Sequence, residues 1–419
     1  MWSVLTTFFS NYLNKREFMM PALPVVIAGA GPAGCLSALY LARQNIPVIL
    51  LEKHQQLPVD LRASTFHPPS LEMLDQLGIA QAMIAQGLKV QRYQYRDRKS
   101  GDVAEFDMNL IADETQFPFR LQLEQYEMTR LAAKELQNYP CAQLLFGHEV
   151  VDFEQHQDSV SVKVQTSDGE KILNSCYLLG CDGASSKVRK VAGIGYEGFT
   201  YDEKFLVVST PFPFEQVFDN LSYVNYISDP DEWCVLLRTE KIWRVLWPTD
   251  PAETNLDKYL TDDFIQARLQ HLHAKAGDYQ IGHRTLYNVH QRVAEHYVKG
   301  RVILAGDAAH INNPLGGMGM NGGLHDAFNL AEKLTAILKQ GADAEALLAQ
   351  YQRQRKDLAV QFVQQHTIQN KQLMETKDPQ LQAKRQQWFM ATAADPVKAK
   401  AFIMERAMFS SLRESLQQA

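Results

Sequence analysis

The strongest constraint on the fold lies between Val25 and Glu52. An apolar run, Val25–Ala28, leads into Gly29-Ala30-Gly31-Pro32-Ala33-Gly34, then a helical pattern over 33–44 and a second apolar run over 48–51. Strand, turn, helix and strand in that order feed a parallel sheet with helices packed on it. The first glycine permits the tight turn, the second lets the backbone approach a pyrophosphate, and the third lets helix and strand pack closely. The helix start directs its unpaired amides and positive dipole end at phosphates. Asn45 ends the helix, where the left-handed conformation is often needed. Glu52 closes the second strand, at the distance where an acid meets the hydroxyl pair of a ribose. The pattern predicts dinucleotide contacts at Gly29, Gly31, Pro32, Ala33, Gly34 and Glu52. Taken alone it does not separate a nicotinamide from a flavin.

The chain has 419 residues, enough for two to three lobes. Its formal charge of -6 excludes a basic nucleic-acid footprint. The five cysteines (Cys35, Cys141, Cys176, Cys181 and Cys234) are odd in number and lack zinc-knuckle spacing. They argue against disulfide staples and for a reducing cytoplasm, with most buried as small hydrophobes. At the N-terminus Lys15 and Arg16 follow the apolar stretch, the reverse of a signal peptide, and the stretch is too short to span a bilayer. Two readings stand: a start at Met19 or Met20, which we favour, or a short amphipathic docking helix.

Further along, helical patterns cover 71–86 and 126–138. Strand-like alternation over 159–164 leads through an Asp168-Gly169 turn into a strand over 171–179. Aromatic-rich strands near 222–228, 234–237 and 243–247 suggest an antiparallel sheet. A buried strand over 301–305 precedes a helix over 323–339, and a charged helical tail runs from about 344. The expected class is α/β. An N-terminal extension, 1–19, precedes a discontinuous Rossmann-like domain, 20–204 and 290–340, with a small strand insertion near 88–118. A β-sheet substrate domain, 205–289, is inserted, and a helical region, 341–419, ends the chain.

Three more segments narrow the reading. They are Arg62-Ala63-Ser64-Thr65-Phe66-His67-Pro68-Pro69; Gly180-Cys181-Asp182-Gly183 with Ser185, Ser186 and Arg189; and Gly306-Asp307-Ala308-Ala309-His310 followed by Pro314-Leu315-Gly316-Gly317-Met318-Gly319-Met320-Asn321-Gly322. A weaker one is Leu123-Glu124-Gln125-Tyr126-Glu127. Together they resemble the flavoprotein aromatic hydroxylases, the group that includes para-hydroxybenzoate hydroxylase, over about 24–338.

The resemblance implies an FAD-binding domain. Arg62 approaches the FAD phosphates and the nicotinamide path, and Asp182 lies near both cofactors. Gln125 meets the pyrophosphate, Asp307 bonds the ribitol chain, and the run from Pro314 through Gly317 passes the isoalloxazine. Amides of Gly319, Met320 and Asn321 at a helix start would stabilise the negative charge of a reduced flavin.

The implied activity is hydroxylation of an aromatic, phenolic small molecule through a flavin hydroperoxide. It uses molecular oxygen and transiently bound NADH or NADPH, and needs neither a metal nor a protein nucleophile. A Trp-x-Trp-x-Ile run, the mark of related halogenases, is absent. Arg238 and Arg244 are candidates to receive an acidic substrate, weighed against a solvated ion pair. For His67 and His310 a structural and a proton-shuttling role both stay open. Alternatives are a larger quinone-precursor or polyketide-like substrate, a non-oxygenating flavin reductase or dehydrogenase, and a flavin-binding protein without turnover. No nucleic acid or integral membrane segment is expected, and a homodimer is among the expected assemblies.

Overall fold

The computed structural model describes residues 23–59, 63–229, 232–376 and 378–417. The expected N-terminal extension and Arg62 lie outside the described residues.

A six-stranded sheet forms the base of the molecule, in the order Val298–Lys299, Val302–Leu304, Tyr177–Gly180, Val25–Ala28, Val48–Glu52 and Ala142–Phe146. Its neighbours are parallel except for the first pair. Val25–Ala28 is buried throughout, as the central strand of a parallel sheet covered on both faces must be. It lies between Val48–Glu52 and Tyr177–Gly180, so the strand order reverses on either side of it. A crevice at such a reversal, beyond the carboxyl ends of the strands, is where ligands bind in open α/β sheets.

The second large sheet has eight strands, in the order His310–Ile311, His283–Ala294, Tyr196–Thr210, Trp243–Pro248, Cys234–Arg238, Val224–Ser228, Arg92–Asp97 and Val103–Asp107. The alternation read in the sequence holds here. Trp243, Val245 and Trp247 face one side with Ile265 and Leu269, whereas Leu246 joins Tyr93, Tyr226 and Phe205 on the other. That second face also packs against Leu315 and against Phe389 and Phe402 of the C-terminal helices. After Val302–Leu304 in the first sheet, the chain turns and places His310–Ile311 beside His283–Ala294 in the second. The segment between that strand and the long helix Met318–Gln340 therefore runs where the two sheets meet.

Four expectations are corrected. The helix read over 71–86 is two, Pro68–Gln76 and Ala80–Ile84, because Gly78 adopts φ 78° and ends the first. The strand read over 171–179 is also two. Gly169–Ser175 closes a three-stranded antiparallel layer, and Tyr177–Gly180 enters the parallel sheet. The helix read from 323 begins at Met318, so its first turn lies inside the glycine-rich run. The strands near 88–118 are no isolated insertion: Arg92–Asp97 and Val103–Asp107 form one edge of the eight-stranded sheet, pairing through Val224–Ser228.

Candidate active site

The glycine turn shows why its residues are what they are. Gly29 has φ 96°, and a Cβ there would stand 2.5 Å from the Cys181 carbonyl oxygen and 2.9 Å from the Asp182 Cα. A Cβ at Gly34 would overlap the Gly29 carbonyl. Gly31 has nothing within 4 Å of the equivalent position, so its backbone is open to an approaching group. Pro32 and Ala33 open the helix Pro32–Arg43, whose proline gives up only an amide that lacks an intrahelical partner anyway. Glu52 is buried and accepts from the amides of Ala30 and His54, each at 3.0 Å. It holds the turn and the next loop in register.

The other segments converge on this turn. Gly29 touches the Asp182 backbone, Gly306 sits against Ala33, and Gly317 sits against the Thr65 side chain. The Asp182 carboxylate itself caps a helix: it accepts from Ser186 Oγ at 2.5 Å and from the amides of Lys187 and Val188 at 2.7 and 3.1 Å. What this turn offers a cofactor is therefore mainly backbone. Arg189 links it to the next segment, donating to the Ala308 and Ala184 carbonyls at 2.8 Å each and stacking on Tyr196. Tyr196 in turn donates to the Asp307 carbonyl at 2.9 Å. The Asp307 side is exposed, between the buried Gly306 and Ala308.

Beneath Asp307 lies a buried charge cluster that the sequence reading did not find. Asp326 accepts from the Gly306 amide at 3.1 Å, from His310 Nε2 at 2.8 Å and from Arg355 Nε at 2.6 Å. Burial pushes the Asp326 carboxyl up, but the charges and hydrogen bonds of His310 and Arg355 outweigh it and hold it well below the usual carboxylate range. His310 is thus a hydrogen-bonding member of the scaffold. Its partner Asp326 lies 16 residues downstream, and Arg355, which bonds Asp326, lies 45 downstream on a second helix, a spacing with no local signature.

The glycine-rich loop is pinned from the other side. Asn321 is fully buried; its side chain donates to the Thr65 and Gly317 carbonyls at 2.8 and 2.6 Å and accepts from the His67 amide at 2.9 Å. His67 Nε2 donates to the Gly316 carbonyl at 2.9 Å. Burial lowers the His67 pKa to about 3, with the nearby Arg120 charge adding to the effect, so the ring is neutral. Gly317 caps the long helix at φ 67°, and its amide donates to the Pro314 carbonyl. The amides at the start of this helix, Met318, Gly319 and Met320, have no intrahelical acceptor by their position. Gln125 opens its own helix, with its amide on the Ala63 carbonyl at 3.0 Å.

Arg120 is a second residue missed in the sequence. It is buried on Arg120–Gln122, lies 4.0 Å over the Tyr93 ring, and its Nε has no hydrogen-bond partner. The available signal was a cation within the apolar alternation Phe117-Pro118-Phe119-Arg120-Leu121. The two arginines proposed from the sequence are placed differently. Arg244 is buried, with its Nη2 2.7 Å from both Glu124 carboxylate oxygens. It is not solvated: Glu124 holds one terminal nitrogen, and the buried Nη1 has no hydrogen-bond partner. Arg238 lies 3.7 Å from Glu215 and beside Trp243.

The residues fit FAD. Gly31 leaves space for a pyrophosphate at the start of the helix Pro32–Arg43, the first amides of Met318–Gln340 lack intrahelical acceptors, and unpartnered polar atoms remain on His67, which bonds the glycine-rich loop, and on Arg120, whose charge reaches His67. A parallel sheet with this turn, joined to an aromatic antiparallel sheet across such a loop, defines an FAD-dependent monooxygenase of the aromatic-hydroxylase type. The chain belongs to the family described as the FAD binding domain, whose model matches residues 22–366.

It is 30% identical to a para-nitrophenol 4-monooxygenase from Pseudomonas sp. (strain WBC-3), over 91% of this chain and 94% of that one. It is also 30% identical to a 6-hydroxy-3-succinoylpyridine 3-monooxygenase from Pseudomonas putida, over 77% and 82% of the two chains. The solved structure of a p-nitrophenol 4-monooxygenase from Pseudomonas putida DLL-E4 superposes with a TM-score of 0.86 at 29% identity, covering 93% of this chain and 98% of that one. The protein is accordingly an FAD-dependent enzyme that uses NAD(P)H and oxygen to hydroxylate an aromatic small molecule. Among the described residues no helix is long and apolar enough to cross a membrane.

Proposed function

We propose that the enzyme hydroxylates a phenolic substrate held between the aromatic face of the eight-stranded sheet and the loop from Pro314 to Gly319. The observation that carries this reading is the pinning of that loop by Asn321 and His67, beside the buried cation Arg120. FAD, when bound, supplies electron transfer from the nicotinamide and the activation of oxygen.

The chain's own residues then have separable tasks. Gly29, Gly31, Pro32, Ala33, Gly34 and Glu52 hold the adenosine and pyrophosphate end; Asp307 and Gln125 serve the middle. The amides of Met318, Gly319 and Met320, rather than that of Asn321, whose i−4 acceptor is the Gly317 carbonyl, would face negative charge on the ring, where fixed dipoles cost no reorganisation. Tyr93, Tyr226 and Leu315 keep water from the reacting centre. Neutral His67 cannot deliver a proton near pH 7, and its task is to fix Gly316.

The reading extends to a FAD lobe of 20–204 and 290–340, a substrate lobe built on 205–289, and a helical region of 341–419. It places the protein in the cytoplasm, with support from five free cysteines, and includes a homodimer, to be read by sedimentation equilibrium.

The test is turnover. Purified FAD-loaded protein should oxidise NADH or NADPH faster when a phenol is added, with hydroxylated product formed in step. Stimulated oxidation that yields only hydrogen peroxide with every phenol tried overturns the hydroxylase assignment in favour of a reductase.

A further inference from the structure

The helix Gln365–Glu375 buries an unusual face. Its buried positions are Thr367, Asn370, Lys371 and Met374, spaced i, i+3, i+4 and i+7. That is the stripe on which a packed helix normally carries apolar residues, and here three of the four are polar. Burying a polar group costs stability unless a hydrogen bond meets it, so each partner matters. Lys371 pairs with Glu203 of the eight-stranded sheet. The other two lead to the glycine-rich loop.

Thr367 Oγ1 accepts from Gln291 Nε2 at 2.9 Å, and Gln291 Oε1 accepts from the Asn313 amide at 3.0 Å. All three residues are fully buried. Asn370 Nδ2 donates to the Leu315 carbonyl at 3.3 Å, and a Cβ at Gly316 would stand 3.0 Å from the same nitrogen. Arg406 Nη1 donates to Asn370 Oδ1 at 2.7 Å, which decides the way the amide points. His67 holds the next carbonyl, that of Gly316. Two consecutive carbonyls of the loop are thus gripped by elements far apart in the chain, immediately before Gly317 caps the long helix. The helix Gln365–Glu375 follows a π-helical segment, Ala359–Gln364, a feature that recurs at functional sites. The family model ends at residue 366, so Asn370 and Arg406 lie beyond the part of the chain it describes.

We propose that Asn370 is a positioning residue for the flavin reaction. By holding the Leu315 carbonyl it fixes the start of Met318–Gln340, and with it the amides of Met318, Gly319 and Met320, relative to the flavin ring. Arg406 orients Asn370, and Gln291 holds the loop at Asn313. The inference rests on the reading above that puts those amides at the ring. Dipoles stabilise a developing charge without reorganisation only while they are held in place. Loss of the brace therefore weakens the hold on reduced, negatively charged FAD more than the hold on oxidised FAD.

The experiment is anaerobic dye equilibration of the FAD-loaded enzyme, which reads the two-electron midpoint potential of the bound flavin. Asn370→Leu removes the donor at similar volume. Asn370→Ser keeps a hydroxyl for Arg406 but is too short to hold the Leu315 carbonyl, and it serves where the first variant loses stability or FAD. Each should hold reduced FAD roughly tenfold less tightly relative to oxidised FAD, a potential lower by about 30 mV. A role in folding alone would lower the melting temperature and leave the potential of the bound flavin unchanged, and that result overturns the proposal. Gly319→Pro separates its failure from failure of the reading beneath it. This change removes one of the three amides, in the first helical turn, where proline is tolerated. A lower potential in Gly319→Pro but not in the Asn370 variants keeps the amides at the ring and overturns the brace. An unchanged potential in all three variants overturns the placement of the loop at the ring, and the proposal with it.

Discussion

The Asn321 side chain donates to the Thr65 carbonyl at 2.8 Å, across 256 residues of sequence. With its bonds to Gly317 and His67, this one amide joins the start of the long helix to the segment after the second parallel strand. Asn321→Ala strands three backbone groups, at about 1–3 kcal/mol for each that finds no water. The expected outcome is a lower melting temperature and FAD lost during gel filtration. A variant that retains full flavin content would show that the loop is held by other means.

His67 and His325 make stability depend on pH. Burial lowers both pKa values from 6.5 to about 3, helped by Arg120 at His67 and by Arg355 at His325. Between those values the unfolded chain binds protons that the folded chain refuses, so stability rises with pH. It is complete above about pH 6.5 and is lost progressively as pH falls toward 3. Urea unfolding of the FAD-loaded enzyme should show a midpoint that drops from neutral to mildly acidic pH, and His67→Gln should reduce the slope. An identical slope in His67→Gln and in His325→Gln would refute the assignment.

What was legible in the sequence was what is local. The turn from Gly29 to Gly34 is a strand–turn–helix whose residues touch their near neighbours, and Asn45 indeed has φ 55° at its helix end. Residues that act across the fold left no pattern. Asp326 gains meaning only when Arg355 and His310 arrive from other elements. The chain's change of sheet at Cys176 is invisible because the mostly exposed strand Gly169–Ser175 runs into the buried strand Tyr177–Gly180 with no glycine or proline between them. Arg244 looked solvent-facing because its partner, Glu124, is 120 residues away.

Arg120 bears on the chemistry. Its guanidinium lies over Tyr93 and its charge reaches His67, which bonds the glycine-rich loop. Arg120→Met keeps most of the stem and removes the charge. The expected result is a loss of roughly tenfold or more in kcat/KM for phenol hydroxylation, equivalent to about 1.5–3 kcal/mol for a charged hydrogen bond. FAD content should be retained. Unchanged kcat/KM would make Arg120 a packing residue only.

Arg244 and Glu124 give the sharpest separation between structure and substrate binding. Both are largely buried, and Arg244 Nη2 lies 2.7 Å from each Glu124 oxygen. Arg244→Ala removes the cation that meets both oxygens of the largely buried Glu124 carboxylate, and breaking such a pair typically costs about 3–5 kcal/mol. Replacing both, as Arg244→Met with Glu124→Leu, removes the two charges together and should restore most of that stability, since a buried pair often exchanges for apolar side chains at little net cost. If Arg244 served only this pair, the double variant would bind aromatic acids as the parent does. If Arg244 received the substrate's acid, stability would recover but affinity for acids would not. Chemical denaturation and acid titration on the same three proteins separate the two, and the geometry predicts recovery of both.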